Sequence, residues 1–162
     1  MTDKELYELF HKYLAYNECA GSLTWKINRY KCSAGSPVGT MKRGGYRSVS
    51  FYGKFYQIHR VIWMMQTESW PNHVVDHING NGSDNCWSNL RDVSQTVNLE
   101  NQRWARSNNK SGYLGVTKHR GKFRATIGND KKQIYIGLFD DANEAHKAYI
   151  EAKRRIHQGC TI

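Results

Sequence analysis

The chain has 162 residues, of which 39% are hydrophobic, so it is long enough for one ordinary domain or two small ones with thin cores. Its 24 basic side chains outnumber the 14 acidic ones, and residues 103–162 hold 13 of the former and 5 of the latter. Such a concentrated positive charge attracts polyanions. Nucleic acid is therefore the first partner to consider, with a merely soluble basic surface as the alternative.

The four cysteines form no C-x-x-C pair. This argues against a zinc ribbon or a small disulfide framework and favours reduced thiols in the cytoplasm. No segment is apolar over the length of a membrane span, and the first residues lack a basic leader followed by an apolar run. We therefore expect neither export nor membrane insertion.

Residues 3–16 place leucine and aromatic side chains at helical spacing, with Thr2 or Asp3 as the cap, and predict a helix. Short aromatic and β-branched runs at 21–28 and 44–63 predict a small antiparallel sheet with a hairpin turn at 52–54. From Ile58 the pattern becomes helical. It stops before Pro71, which disfavours helical geometry in the preceding residue.

Residues 74–103 combine few apolar side chains with many Asn and Gln side chains. A β-branched run predicts a strand ending in Asp76 and His77, followed by a turn at 79–82 and a second extended piece at 89–93. Ser94 is placed to cap a helix from Gln95 to about Trp104. The amide side chains can support the loop between the strands by hydrogen-bonding its backbone.

A polar segment near Asn108 has linker composition. Beyond it, the pattern predicts strands at 113–119, 122–129 and 133–139 and a helix at 141–159 with a stripe of small residues. One sheet face is predicted to be a core face, formed by Val116, Phe123, Ala125, Ile127, Ile134 and Ile136. The opposite face is polar and basic, with Thr117, His119, Arg124, Thr126, Gln133 and Tyr135.

Three side chains of the amide-rich stretch suggest chemistry. The Asp76 carboxylate and the Asn98 amide oxygen are hard ligands suited to Mg²⁺ or Mn²⁺, and the His77 imidazole can take a proton from water near neutral pH. They can form one set if the helix that carries Asn98 packs back over the strands. From these residues alone, a structural role for the Asp-His pair is the alternative and the commoner case. His59 and His73 are interpreted as structural.

The pattern from His59 to Arg103, including "PNHVVDHINGNGSDNCWSNLR" and "VNLENQR", resembles the HNH homing endonucleases of phages, in the ββα-metal nuclease superfamily. The resemblance implies hydrolysis of a phosphodiester bond to 5′-phosphate and 3′-hydroxyl ends, with one Mg²⁺ or Mn²⁺ ion and no zinc. It assigns residues as follows: Asp76 and Asn98 as metal ligands, His77 as general base, and Asn89 as the central Asn that braces the loop.

Arginines near this pattern are candidates for holding DNA phosphates, with solvated surface charge as the alternative. They are Arg60, Arg91 and Arg103.

Residues 111–159 resemble the APETALA-type (AP-two/ERF-like) DNA-binding domain through Y-x-G-V, G-K-F, I-G-x-F and E-A-x-x-A-Y. The resemblance implies that the free face of a three-stranded sheet enters the major groove. The matching contact positions are Leu114, Thr117, His119, Thr126, Gly128, Gln133 and Tyr135. Basic side chains expected on phosphates are Lys118, Arg120, Lys122, Arg124, Lys131 and Lys132. A module that only stabilises the nuclease is the alternative.

The sequence thus predicts an α+β protein with two domains. Residues 1–107 form an HNH nuclease domain with a small antiparallel sheet and a ββα-metal core at about 73–104. Residues 108–162 form a three-stranded antiparallel sheet packed on one helix. We expect a metal-dependent homing endonuclease that nicks or cuts double-stranded DNA, acting as a monomer in the cytoplasm of a bacterial host. The alternatives are a DNA-binding regulator with a vestigial nuclease site and an RNA-directed nuclease or binder.

Overall fold

The chain divides into two compact units in a computed structural model that describes residues 1–130 and 132–162. The first unit is Met1–Ser94 and the second is Gln95–Ile162. In the described part of the chain, no helix is both long and apolar enough to cross a membrane. Lys131, one of the expected phosphate contacts, lies outside the described residues.

The first unit begins with helix α1 (Asp3–Tyr13). Thr2 caps this helix: its hydroxyl accepts from the Glu5 amide at 3.3 Å, while the Glu5 carboxylate accepts from the Thr2 amide at 2.6 Å. The sequence predicted a helix that extends to residue 16, but the helix ends at Tyr13. The reason is tertiary pairing, because Leu14 starts strand β1 (Leu14–Asn17), which is antiparallel to β2 (Ser22–Trp25).

A second sheet of three antiparallel strands follows, in the order β3 (Thr40–Met41), β4 (Arg47–Phe51) and β5 (Lys54–Gln57). The predicted hairpin turn is confirmed: Phe51 pairs with Lys54, and Tyr52 and Gly53 both have positive φ, as a tight two-residue turn requires. Helix α2 (Ile58–Thr67) starts directly after β5 and stops before Pro71, also as predicted.

The core of the first unit forms where α1 and α2 pack on these sheets. Phe10 contacts Phe51 and Tyr56 edge-on, with ring centroids 5.6 Å apart in both cases. Fully buried side chains of α2, Val61, Ile62 and Met64, complete it. Val75 and Leu90 belong to the same cluster, so the core extends to the strands that follow.

Strands β6 (Val74–His77) and β7 (Leu90–Val93) form an antiparallel pair. The loop between them includes a 3₁₀ turn at Trp87–Asn89. These are the two extended pieces predicted in the amide-rich stretch, and they place Asp76 and His77 at the end of a strand.

The second unit contains helix α3 (Gln95–Glu100), strands β8 (Val116–His119), β9 (Lys122–Asn129) and β10 (Lys132–Phe139), and helix α4 (Ala142–Ile156). The strands form an antiparallel sheet in the order β10-β9-β8. Helix α3 is four residues shorter than predicted. The residues after it are held by other contacts, including one from the Lys153 amino group to the Gln102 carbonyl.

A small core lies between this sheet and α4, formed by Val116, Ala125, Ile127, Ala145, Tyr149 and Ala152. Ile134, which the alternation placed on the core face, pairs with Ile127 but is 39% exposed. A shift of register between Tyr135 and Gly137 interrupts the alternation of β10 directly after it.

Candidate active site

Asp76 and His77 are buried at the end of β6, with 7% and 3% of their surface exposed. Asp76 lies opposite Arg91 of β7, and the Arg91 Nε and Nη2 atoms donate to its Oδ2 at 2.9 and 2.8 Å. Neighbouring residues of a strand point to opposite faces. The carboxylate therefore meets an arginine, while the imidazole meets a different set of neighbours.

The His77 ring lies among two other rings and one amide. Its centroid is 5.7 Å from that of Tyr46 and 5.3 Å from that of His59, both in edge-on geometry. Its Nε2 is 3.0 Å from the Oδ1 of Asn85. These contacts hold the imidazole in one orientation, as a general base requires.

His59 is a core residue of α2. Burial, followed by the nearby His77 and Arg60, lowers its pKa to about 4. It is thus neutral near pH 7 and adds no positive charge beside His77. His73, by contrast, is exposed, and its backbone amide donates to Asp92 at 3.0 Å.

Asn89 connects both ends of the loop between β6 and β7. Its Oδ1 accepts from the Asn79 amide at 2.9 Å, and its Nδ2 donates to the Asp84 carbonyl at 2.7 Å. Asn79 and Asn81 form turns within the loop, because the Asn79 Oδ1 accepts from the Asn81 amide and the Asn81 Oδ1 from the Ser83 amide. The loop is thus fixed by amide side chains rather than by apolar packing.

Asn98, the predicted second ligand, lies half-buried on α3. It belongs to the second unit, whereas Asp76 belongs to the first. Its role at the ion stays a prediction.

The arginines expected on phosphates already have protein partners. Arg91 pairs with Asp76. Arg103 donates to the Thr161 hydroxyl and carbonyl at 2.5 and 3.0 Å. The Arg60 guanidinium lies 5.6 Å from the centre of the Trp70 ring. A phosphate contact would therefore share or replace these interactions.

Comparison with known proteins bears on this region. Residues 56–100 match the family model described as HNH endonuclease. A curated relative is the DNA endonuclease I-HmuI of Bacillus phage SP01, which is 37% identical over 99 residues. The aligned part covers 58% of this chain and 52% of the relative, so the chain spans about half the length of the relative it matches. No solved structure matches the chain.

The matched segment, residues 56–100, is called the HNH segment. This segment contains Asp76, His77, Asn89 and Asn98. It begins in β5 and ends with α3, and it therefore runs from the first unit into the second.

The HNH segment has a donor set that fits a hard divalent ion. Mg²⁺ is commonly held by one or two carboxylates together with water and substrate phosphates. Asp76 supplies a buried carboxylate, and its contact with Arg91 uses Oδ2. In the described residues, no three His, Cys, Asp or Glu side chains gather as a metal cluster.

Strand register in the second unit places most of the predicted base contacts on one face. Thr117 lies opposite Arg124, Tyr135 opposite Thr126, and Gln133 opposite Gly128, so these side chains share the face turned away from α4. His119 lies opposite Lys122 on that face. Tyr135 is 61% exposed. Lys118 pairs with Phe123 and points to the other face, while Arg120 lies in the turn between β8 and β9.

Two residues next to His77 were not assigned to the site from the sequence. Tyr46 lies 31 positions away, and no local pattern indicates its contact. Asn85 is one of the amide side chains expected from the sequence to support the loop, but its side chain is buried against the imidazole. The only sequence signal for Asn85 was its place in the loop that follows Asp76 and His77.

Proposed function

We propose that this chain is a divalent-metal-dependent DNA endonuclease of the HNH type. The observation that carries the proposal is the Asp76-His77 pair, buried at the end of β6 inside the segment that matches the HNH endonuclease family. The relative that shares this segment is named as a DNA endonuclease, which supports DNA as the substrate; we propose that this DNA is double-stranded.

His77 is the general base in this proposal and takes a proton from the water that attacks the phosphorus. Asp76 and Asn98 would hold the ion, Mg²⁺ or Mn²⁺. When bound, such an ion stabilises negative charge on the phosphate and on the departing 3′ oxygen. Asn89 fixes the loop through Asn79 and Asp84, so that the end of β6 keeps its shape. The products carry 5′-phosphate and 3′-hydroxyl ends.

The second unit is proposed to position the nuclease on DNA through the face of β8, β9 and β10 turned away from α4. Support comes from the register, which gathers Thr117, His119, Arg124, Thr126 and Tyr135 on that face. Lys122 and Gln133 lie on the same face and would add contacts to DNA, together with Arg120 in the turn between β8 and β9. Because phosphate contacts release counterions, binding should weaken steeply with salt, and Arg124→Ala should reduce the slope of log K against log salt by about 1.

Cleavage of plasmid DNA tests the enzyme. The wild type should cleave in the presence of Mg²⁺ or Mn²⁺, and His77→Ala should lower the rate by about 10²–10⁴-fold. His73→Ala removes an exposed imidazole of the same unit and should leave the rate unchanged. Equal rates for wild type and His77→Ala would exclude His77 as the base, and no cleavage of any DNA by the wild type would exclude the enzyme.

A second candidate, a DNA-binding regulator with an inactive nuclease site, is favoured by one contact. Arg91 already neutralises the Asp76 carboxylate, as it would in a site that no longer binds an ion. This candidate predicts DNA binding that is salt-dependent, indifferent to Mg²⁺ and unchanged by Asp76→Ala. The endonuclease predicts instead that Asp76→Ala abolishes cleavage while DNA binding in EDTA persists.

A further inference from the structure

The Asn85 side chain is aligned on His77 by two contacts. Its Oδ1 lies 3.0 Å from the His77 Nε2, and its Nδ2 donates to the Ser83 carbonyl at 3.5 Å. In this orientation the amide turns its oxygen, an acceptor, towards the ring, and the tautomer that carries its proton on Nε2 is the one that makes this hydrogen bond. In the neutral imidazole the lone pair that can accept a proton is then on Nδ1.

Asn85 is itself held by the hairpin of β1 and β2. The Tyr16 hydroxyl donates to the Asn85 carbonyl at 2.7 Å, and burial raises the pKa of this phenol, so it remains a donor. Gly21 lies against the same backbone with φ +61°, and a Cβ there would come within 2.6 Å of the Asn85 carbonyl carbon. Two residues after Asn85, the Trp87 amide donates to the carbonyl of Glu18, in the turn of the same hairpin, at 3.2 Å.

We propose that Asn85 is a positioning residue for His77. It fixes the ring in the tautomer protonated on Nε2 and keeps Nδ1 as the basic nitrogen, while the β1–β2 hairpin fixes Asn85. The inference rests on the proposed function in one respect, because the tautomer matters for the reaction only if His77 is the base. A partner that orients an imidazole and sets its tautomer has large effects on activity elsewhere, about 10–100-fold at metal sites.

The tautomer can be measured without DNA or metal. In long-range ¹H–¹⁵N spectra of the full chain at a pH where the ring is neutral, the His77 signals are assigned by their loss in His77→Ala. The wild type should show the Nε2-protonated form, and Asn85→Ala should show a mixture of both tautomers. Asn85→Asp keeps an acceptor oxygen and should restore the wild-type form. Asn81→Ala is the control, since the Asn81 Oδ1 accepts from the Ser83 amide of the same loop rather than from His77.

Kinetics then connect the tautomer to catalysis. Asn85→Ala should lower kcat by about 10–100-fold with KM within about twofold, and Asn85→Asp should recover most of kcat. Asn81→Ala should keep the wild-type kcat. If Asn85→Ala does not fold, Asn85→Leu fills the space without an acceptor and takes its place.

The outcomes separate the two proposals. A wild type that cleaves DNA, together with an Asn85→Ala protein that keeps both its tautomer and its kcat, overturns the role of Asn85 and leaves the endonuclease intact. If the wild type cleaves no DNA, the endonuclease fails and the spectra alone decide on Asn85. A loss of kcat in Asn85→Ala that Asn85→Asp does not restore, with the Nε2-protonated form unchanged, indicates packing only and also overturns the inference.

Discussion

Acid should destabilise the first unit through His59. This imidazole is buried beside Tyr46 and His77, and its pKa in the folded protein is about 4, against an ordinary value of 6.5. Folding therefore favours the neutral ring. The contribution of His59 to the free energy of unfolding is complete above about pH 6.5 and is lost as the pH falls towards 4. The reason is that in this pH range the imidazole is protonated in the unfolded chain but stays neutral in the folded chain.

The size of the effect follows from the two pKa values. Between about pH 7.5 and 4.5, linkage of this single group lowers the free energy of unfolding by about 2.5 kcal/mol. That is a large fraction of the total stability of a typical domain, which is about 5–15 kcal/mol. His59→Phe keeps a ring next to Tyr46 and His77 but cannot be protonated. It should remove about 2.5 kcal/mol from the difference in stability between the two pH values.

Urea unfolding followed by tryptophan fluorescence measures this difference. The signal reports mainly on the first unit, since Trp25, Trp63, Trp70 and Trp87 lie there. His73→Gln, which removes an imidazole that is 61% exposed in the same unit, is the matched control. If His59→Phe and the wild type lose the same stability between the two pH values, the burial argument for His59 is wrong.

Two further changes test how buried groups are held. Arg91→Met removes the cation from Asp76 and should destabilise the first unit by about 3 kcal/mol near neutral pH, whereas the double variant with Asp76→Asn should recover most of it. Urea unfolding of the wild type, both single variants and the double variant measures the coupling. In the second unit, a Cβ at Gly115 would lie 2.0 Å from the Tyr149 ring, while one at Gly112 would meet nothing within 4 Å, and both residues have positive φ. Gly115→Ala should therefore lower stability by at least about 3 kcal/mol and Gly112→Ala by about 1, as thermal unfolding by circular dichroism can show.

The mixed α and β structure with small antiparallel sheets was readable from the sequence because local signals determine it. The alternation around Asp76 and the Tyr52-Gly53 turn are short-range patterns, and both predictions are confirmed. The wrong predictions concern positions where pairing with another segment of the chain determines the local structure. Leu14 continues a helical pattern but pairs with Trp25, and Ile134 continues a core pattern but lies beside a bulge.

The same division applies to the candidate site. Asp76 and His77 could be located because two strand residues before a turn leave a local pattern. The neighbours that hold them could not, since Tyr46 reaches His77 from before β4, and Asn85 depends on Tyr16, 69 positions earlier. Contacts of this kind depend on how distant elements pack together. Such packing leaves no periodic pattern of residues in a single sequence.

The HNH segment ends with α3, and the contacts of α3 within its own unit lead to the C-terminus. Gly159 lies so close to the Val97 carbonyl that a Cβ would clash with it, and the Gly159 amide donates to the Glu100 carboxylate at 3.0 Å. Thr161 donates to the Asn101 side chain directly after the helix. A chain cut at residue 107 would keep Asn98 but lose these contacts. The boundary predicted near Asn108 would therefore separate the helix that carries Asn98, the predicted ligand, from the C-terminal residues that contact this helix. The C-terminal part is thus a structural support of the proposed nuclease as well as its proposed DNA-binding module.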